Sequence, residues 1–333
     1  MIKIKFMKAK IKVALIYKST YHAFQADFFE RSSFDFFMKA LKRNQEMEIS
    51  YFSVNGNYFD TSKLRGNCDI ILLANNHIGA TPEILDGIQN LDIPVICRSG
   101  DQHYAKRYNQ ISYHQKWKID YYFGSNPHSY FYRFFPHDFM YENIFIGLEP
   151  SLYQNLKPYK ERIKNKILNS GNVGKLTMKS RVANAILNPK RSAWYFYKLR
   201  TICNRLPYVD HVGMNGNKYP NDDYPTYLAR YRCAIAAATW YPAQKYWEIP
   251  AAGCLTFMEN SKKNDISYMG FKDGETAIFI NERNYKEKFE EFLKDPDNPK
   301  WEKIANAGRQ HVMDNFTNDI ATKKLVGLMK KLL

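Results

Sequence analysis

Lys245 and Glu248 stand three residues apart in the stretch from Pro242 to Met258, which reads as a short helix, a glycine-ended turn and a buried strand. On a helix that spacing puts both side chains on one face. The pair offers a cation able to meet a diphosphate beside a carboxylate able to accept hydrogen bonds from ribose hydroxyls. The N–H groups near Ala243 and Gln244, at the start of the helix, add positive partial charge. Gly253 permits a left-handed cap and close approach of the backbone, and Pro250 predicts a short helix with an irregular exit. A second phosphate candidate is the loop Ser170-Gly171-Asn172-Val173-Gly174, which follows a predicted strand. It lacks both the Gly-x-Gly-x-x-Gly fingerprint and the Lys-Ser/Thr of a P-loop.

Open α/β sheets bind ligands at the carboxyl ends of their strands. In the first half of the chain three such segments carry polar groups: Tyr17 to His22, Asn75-Asn76-His77, and Arg98 to His103. Asp101 follows a glycine turn and is the first candidate for a general base, with His103 second. His22 and His77 are weaker candidates. Loop Asp and His residues commonly serve as turn formers or surface groups. The acidic pair Asp222-Asp223 precedes Tyr224-Pro225 and reads as a turn and helix start.

The Lys245/Glu248 segment, followed by Ala251-Ala252-Gly253, resembles the C-terminal domain of GT-B glycosyltransferases, most closely the group that includes the spore-maturation CgeB-type proteins. The resemblance continues through Gly270 to Phe279 and through Trp301 to Val312, with Ala305-Asn-Ala-Gly-Arg309 inside it. It covers the last third of the chain well and the first half by architecture alone. It implies a glycosyltransferase of hexosyltransferase kind, moving a sugar from a nucleotide-sugar donor to a glycan, lipid-linked or protein acceptor in cell-envelope or surface-glycan synthesis. The donor would be held by Lys245, Glu248, Gly253, Gly171, Ala243 and Gln244, with no cofactor and no metal. One position departs: where the broader retaining group has a first Glu, eight residues before the ribose-binding one, this chain has Trp240. Donor sugar and stereochemistry therefore do not carry over, and a degenerate member that binds a nucleotide or glycan without turnover stays open.

These residues need a scaffold, and the pattern supplies one. Apolar runs at Lys12–Tyr17, Glu48–Val54, Asp69–Ala74, Ile93–Cys97 and Ile119–Phe123 alternate with helical spacing over Phe28–Leu41 and Pro82–Leu91. The second half restarts with strands at Asn165–Asn169, Val209–Gly213 and Arg232–Ala237, and ends in helices built on Tyr285–Leu293, Trp301–Val312 and a last one capped by Thr317. The expected fold is α/β, two Rossmann-like domains with parallel sheets. Its divisions are residues 1–158, residues 159–316, and a C-terminal helix, residues 317–333, that packs back on the first domain as in GT-B proteins.

With 333 residues, 45% hydrophobic and 25% charged, the composition is globular. The first residues lead into a strand pattern rather than a signal peptide, and no run approaches a membrane span, so a cytoplasmic protein is expected. The five cysteines lack metal-ligand or Cys-x-x-Cys spacing and read as reduced core residues. The net charge of +16 concentrates between Lys157 and Arg200, where twelve Lys or Arg accompany one acid, Glu161. That region predicts an anionic partner: a phosphorylated acceptor or peripheral contact at the inner face of an anionic membrane. Nucleic acid is a third reading, without a helix-turn-helix, zinc-finger or RNP pattern to support it.

Overall fold

A computed structural model describes residues 9–20, 36–77, 79–174, 177–187, 193–212 and 223–333. Its chain forms two compact units, residues 1–147 with 318–333, and residues 148–317. His22, Asp222 and the first part of the Phe28–Leu41 segment lie outside the described residues.

The first unit contains β1 (Ile11–Lys18), β2 (Met47–Val54), β3 (Tyr58–Asp60), β4 (Ile70–Leu73), β5 (Ile84–Asp86), β6 (Val95–Arg98), β7 (Tyr121–Gly124) and β8 (Tyr141–Asn143). Six of them form one sheet in the order β2-β1-β4-β6-β7-β8, every pair parallel. Because side chains alternate across a strand, Val13, Leu15, Ile70, Leu72 and Ile96 pack on one face, and Ala14, Ile16, Ile71, Leu73 and Cys97 on the other. Both faces are covered, which is why these strands read as continuous apolar runs rather than alternating ones. The last helix, Asn318–Leu332, buries Ala321, Leu325, Val326, Leu328 and Met329 in the first of these layers.

One sequence expectation is overturned. Pro82–Leu91 does not form a helix: Ile84–Asp86 pairs with Tyr58–Asp60 as a small parallel ribbon, and Gly87, at φ +77°, turns the chain into a single helical turn. Leu85 and Ile88 are buried while Ile84 is exposed, a pattern that serves a strand and a turn as well as a helix.

In the second unit β9 (Ile167–Ser170), β10 (Val209–Val212), β11 (Cys233–Ala236), β12 (Leu255–Glu259) and β13 (Ile278–Ile280) run parallel in the order β10-β9-β11-β12-β13. Ile167, Ile235, Leu255, Phe257 and Ile280 face Leu199 and Cys203 of helix Lys198–Cys203 and Phe289 and Phe292 of helix Tyr285–Lys294. Helix Pro299–Asn315 packs against helix Lys245–Ala251, which runs back along the sheet before β12. The unit begins at Leu148 rather than near residue 158, because the segment carrying buried Tyr153 and Tyr159 is anchored here: Arg309 donates to Tyr153 O at 2.9 Å, and Tyr159 joins the core. All five cysteines are free, four of them buried.

In the first unit, Leu325→Ala empties a fully buried site and is expected to cost about 2–5 kcal/mol. Lys324→Ala, on the exposed side of the same helix, should change stability by less than about 0.5 kcal/mol. Urea unfolding of both variants compares the two.

Candidate functional site

The order of the second sheet reverses between β9 and β11, and a crevice opens at the carboxyl ends of strands where such a reversal occurs. The chain leaves β9 there through Ser170, Gly171 and Asn172. Gly171 has φ +92°, and a Cβ at this position would stand 2.8 Å from Lys245 Nζ and 3.3 Å from Arg200 Nη1. The backbone conformation thus favours glycine, and a Cβ would also force the Lys245 ammonium to shift.

Two cations hold this turn. Lys245 Nζ donates to Ser170 O at 2.7 Å, and Arg200 donates to Ser170 O at 3.3 Å and to Asn172 O. Arg200 is 2% exposed and lies over the Tyr197 ring, 4.1 Å from its centroid. Around them, Ser170 Oγ bonds the Tyr224 hydroxyl at 2.7 Å, and a His211 ring nitrogen lies 2.9 Å from Gly171 O. Burial, and then the Arg200 charge, hold the Lys245 ammonium well below its usual pKa, with Glu248 acting in the opposite sense. Burial pushes the Glu248 carboxyl up to about 7 against the pull of Lys245. No described residue donates a hydrogen bond to that carboxylate, so it remains an available acceptor. Tyr153 and Tyr224 border it, since both phenols are raised by burial first and by Glu248 second.

Of the sequence candidates, Gly171, Lys245 and Glu248 come together. Ala243 and Gln244 form the turn into their helix, Ala243 O accepting from Tyr246 N and Gln244 O from Trp247 N and Glu248 N. Gly253 does not join them. Seven helical residues, at about 1.5 Å of rise each, carry the chain to the opposite end of the sheet. There Arg162 donates to Ala252 O and Gly253 O, and Arg309 to Ala251 O, satisfying carbonyls at the helix end. A separate cavity of about 290 Å³ adjoins Gly253, Arg162 and Arg309.

Arg200, Tyr224 and His211 were not singled out in the sequence. Arg200 was one of twelve basic residues in a stretch with no motif to mark it. A further buried acid, Glu259 at the end of β12, is 4% exposed with one oxygen lacking a partner. Burial first, then Glu282, push its carboxyl up to about 8, with Arg200 among the groups opposing.

In the first unit, Asp101 is exposed at the end of β6, where it starts a single helical turn without a capping hydrogen bond from its side chain. The His103 ring is 4.1 Å from that of Tyr104. Buried amides line the same sheet edge: Asn76 Oδ1 accepts from Gly100 N at 2.7 Å, and Gln102 Nε2 donates to Ser99 Oγ at 3.1 Å. Asn76 Nδ2 and Gln102 Oε1 are buried without a partner.

Comparison with known proteins matches this architecture. Residues 183–326 match the family described as glycosyl transferase-like. A glycosyltransferase from Rickettsia africae superposes with TM-score 0.53 at 12% identity, over 98% of this chain and 99% of that one. HepE of Anabaena, in complex with UDP-glucose, gives 0.56 at 10% identity over 96% and 100%. An alpha-glucosyltransferase in complex with UDP-glucose and DNA gives 0.59 at 10% identity over 97% and 100%.

The chain has the GT-B fold.

Among curated proteins no sequence matches it. In this GT-B chain the family match spans Lys245, Glu248 and Arg200 but stops short of Gly171.

Glu259 gives a pH test of the site's electrostatics. Its folded pKa lies above the unfolded value, so the folded state retains a proton that the unfolded chain releases, and stability falls as pH rises from about 4.5 to about 8. Glu259→Gln should flatten that fall and be more stable than the wild type at pH 8 by on the order of 1–3 kcal/mol. Thermal unfolding from acid to mildly alkaline pH measures it; parallel curves for the two proteins would show that Glu259 is ionised throughout.

Proposed function

We propose that this protein transfers a sugar from a nucleotide-sugar donor to an acceptor in glycan synthesis, with the donor diphosphate on the Ser170–Gly171–Asn172 turn. The observation that carries the reading is the convergence of Lys245 and Arg200 on that one glycine turn at the switch point of the second sheet. Two cations whose donors reach only carbonyls form a site with surplus positive charge. As the donor bond breaks, negative charge grows on the leaving diphosphate, and pre-positioned cations stabilise it most at that stage. Lys245 and Arg200 serve this role without a metal.

Glu248 accepts hydrogen bonds from the ribose, and Asp101, with His103 beside it, serves as the base that takes the acceptor's hydroxyl proton. The buried amides Asn76 and Gln102, each with an unused polar atom, suit a neutral, hydroxyl-rich acceptor. The structural neighbours captured with UDP-glucose make a uridine nucleotide the first donor to try. The sequence around Lys245, Glu248 and Gly253 further suggests the CgeB-type subgroup.

Thermal unfolding with a panel of nucleoside diphosphates and nucleotide sugars tests the donor site. At one hundred times its dissociation constant a ligand adds about 2.7 kcal/mol, a shift of several degrees. The shift should vanish in Lys245→Gln and shrink in Glu248→Gln and Gly171→Ala; no response to any nucleotide would remove the donor-site reading.

Binding should also take up protons. A bound diphosphate raises the Lys245 pKa that burial and Arg200 lower, so protons are taken up where Lys245 titrates and affinity should fall as pH rises through that range. Calorimetry in buffers of different ionisation enthalpy detects that uptake, which should be lost in Lys245→Gln.

A further inference from the structure

Helix Lys245–Ala251 ends on two arginines whose hydrogen bonds leave part of each guanidinium unused. Arg162 donates through Nε to Lys157 O at 2.8 Å, and through Nη1 to Ala252 O and Gly253 O at 2.9 Å each. Arg309 donates through Nε to Ala251 O at 3.1 Å and through Nη2 to Tyr153 O at 2.9 Å. A guanidinium carries five N–H donors. Arg162 Nη2 and Arg309 Nη1 therefore remain, neither with a partner among the described residues and neither sealed off by protein. Arg162 as a whole is only 7% exposed, and its unused nitrogen opens on the cavity of about 290 Å³ that both arginines line.

The charge of that cavity is unbalanced. Exposed Lys157 lines it as a third cation and Glu302 as one carboxylate, yet none of the four forms an ion pair among the described residues. Two positive charges are left in excess. The carboxyl end of the helix offsets about half a charge, and its carbonyls at Ala251, Ala252 and Gly253 are already taken by the arginines. Free N–H pairs on two planar guanidinium groups suit the several oxygens of a phosphate dianion. Glu302, an acceptor only, suits hydroxyls on the molecule that carries the phosphate. The volume lies at the lower limit of small-molecule pockets.

We propose that this cavity binds a small hydroxylated phosphomonoester at a site separate from the Ser170–Gly171–Asn172 turn. Arg162 and Arg309 hold the phosphate oxygens, Lys157 adds charge, and Glu302 accepts from a hydroxyl. About 10 Å of helix separates the cavity from Lys245. The two sites share no residue, so either reading stands or falls without the other.

Calorimetric titration of the whole protein with glucose 6-phosphate, glycerol 3-phosphate, inorganic phosphate and glucose tests it. At least one of the two esters should bind about tenfold or more tighter than inorganic phosphate, with affinity falling as salt rises, and glucose should not bind. Asn306 is exposed on the cavity wall and makes no hydrogen bond among the described residues. Asn306→Glu therefore adds a carboxylate there and should weaken ester binding at least about tenfold. Lys157→Gln should weaken it about threefold, and Lys245→Gln should leave it unchanged. Without ligand, Asn306→Glu and Lys157→Gln should keep the wild-type unfolding temperature, which excludes misfolding as the cause. Failure of both esters to bind, inorganic phosphate binding as tightly as either ester, or ester binding unchanged in Asn306→Glu would each overturn the proposal. Binding lost in Lys245→Gln and kept in Asn306→Glu would assign the ester to the Ser170 turn instead.

Discussion

Holding two cations beside one backbone turn, with no carboxylate bonded to either, is the constraint on which the second unit's site is built. Lys245 and Arg200 share Ser170 O as an acceptor, and the nearby Glu248 charge offsets part of their mutual repulsion. Removing charge from water is costly unless hydrogen bonds or opposite charge replace the lost hydration. Carbonyls supply part of that, while burial and then the Arg200 charge hold the Lys245 pKa well below its usual value. Gly171 follows from this arrangement, because any Cβ there would occupy the space of the ammonium.

Both units place their chemistry by the same topological rule, yet with different materials. Each sheet reverses its order beside its first strand, β1 in one and β9 in the other. At the second sheet's edge the groups are cationic. In the first they are amides and hydroxyls, Asn75, Asn76, Ser99 and Gln102, tied into a buried network by Gly100 N and His77 N. Gly100 is as tightly hemmed as Gly171, a Cβ there lying 2.4 Å from Asn75 Oδ1. One architecture thus presents cations at one sheet edge and buried amides and hydroxyls at the other.

Much of the scaffold was legible in the sequence because fully covered parallel strands leave unbroken apolar runs, as at Ile70–Leu73 and Leu255–Glu259. The short strands Tyr58–Asp60 and Tyr141–Asn143 were not, since three residues carry no period. Pro82–Leu91 was misread because its buried Leu85 and Ile88 satisfy a helical spacing by coincidence, while pairing with a distant strand decides the outcome. For the site, local spacing revealed Lys245 and Glu248. It could not reveal Arg200, which reaches the same turn from thirty positions along the chain through a helix packed on the sheet. Gly253 looked equivalent to Gly171 because sequence shows that a glycine is needed without showing at which end of a strand it lies.

The chain crosses between the two units at residue 147 and again at residue 318, and these points meet where Asn318 Oδ1 accepts from Gly147 N at 2.8 Å. The second unit is therefore one continuous insertion into the first. During synthesis it can assemble as soon as its own residues have emerged, whereas the first unit waits with Phe36, Leu15 and Leu72 short of the helix that covers them. The portion of the protein made first is the portion finished last. Until then its apolar layer must be shielded by transient contacts or by chaperones.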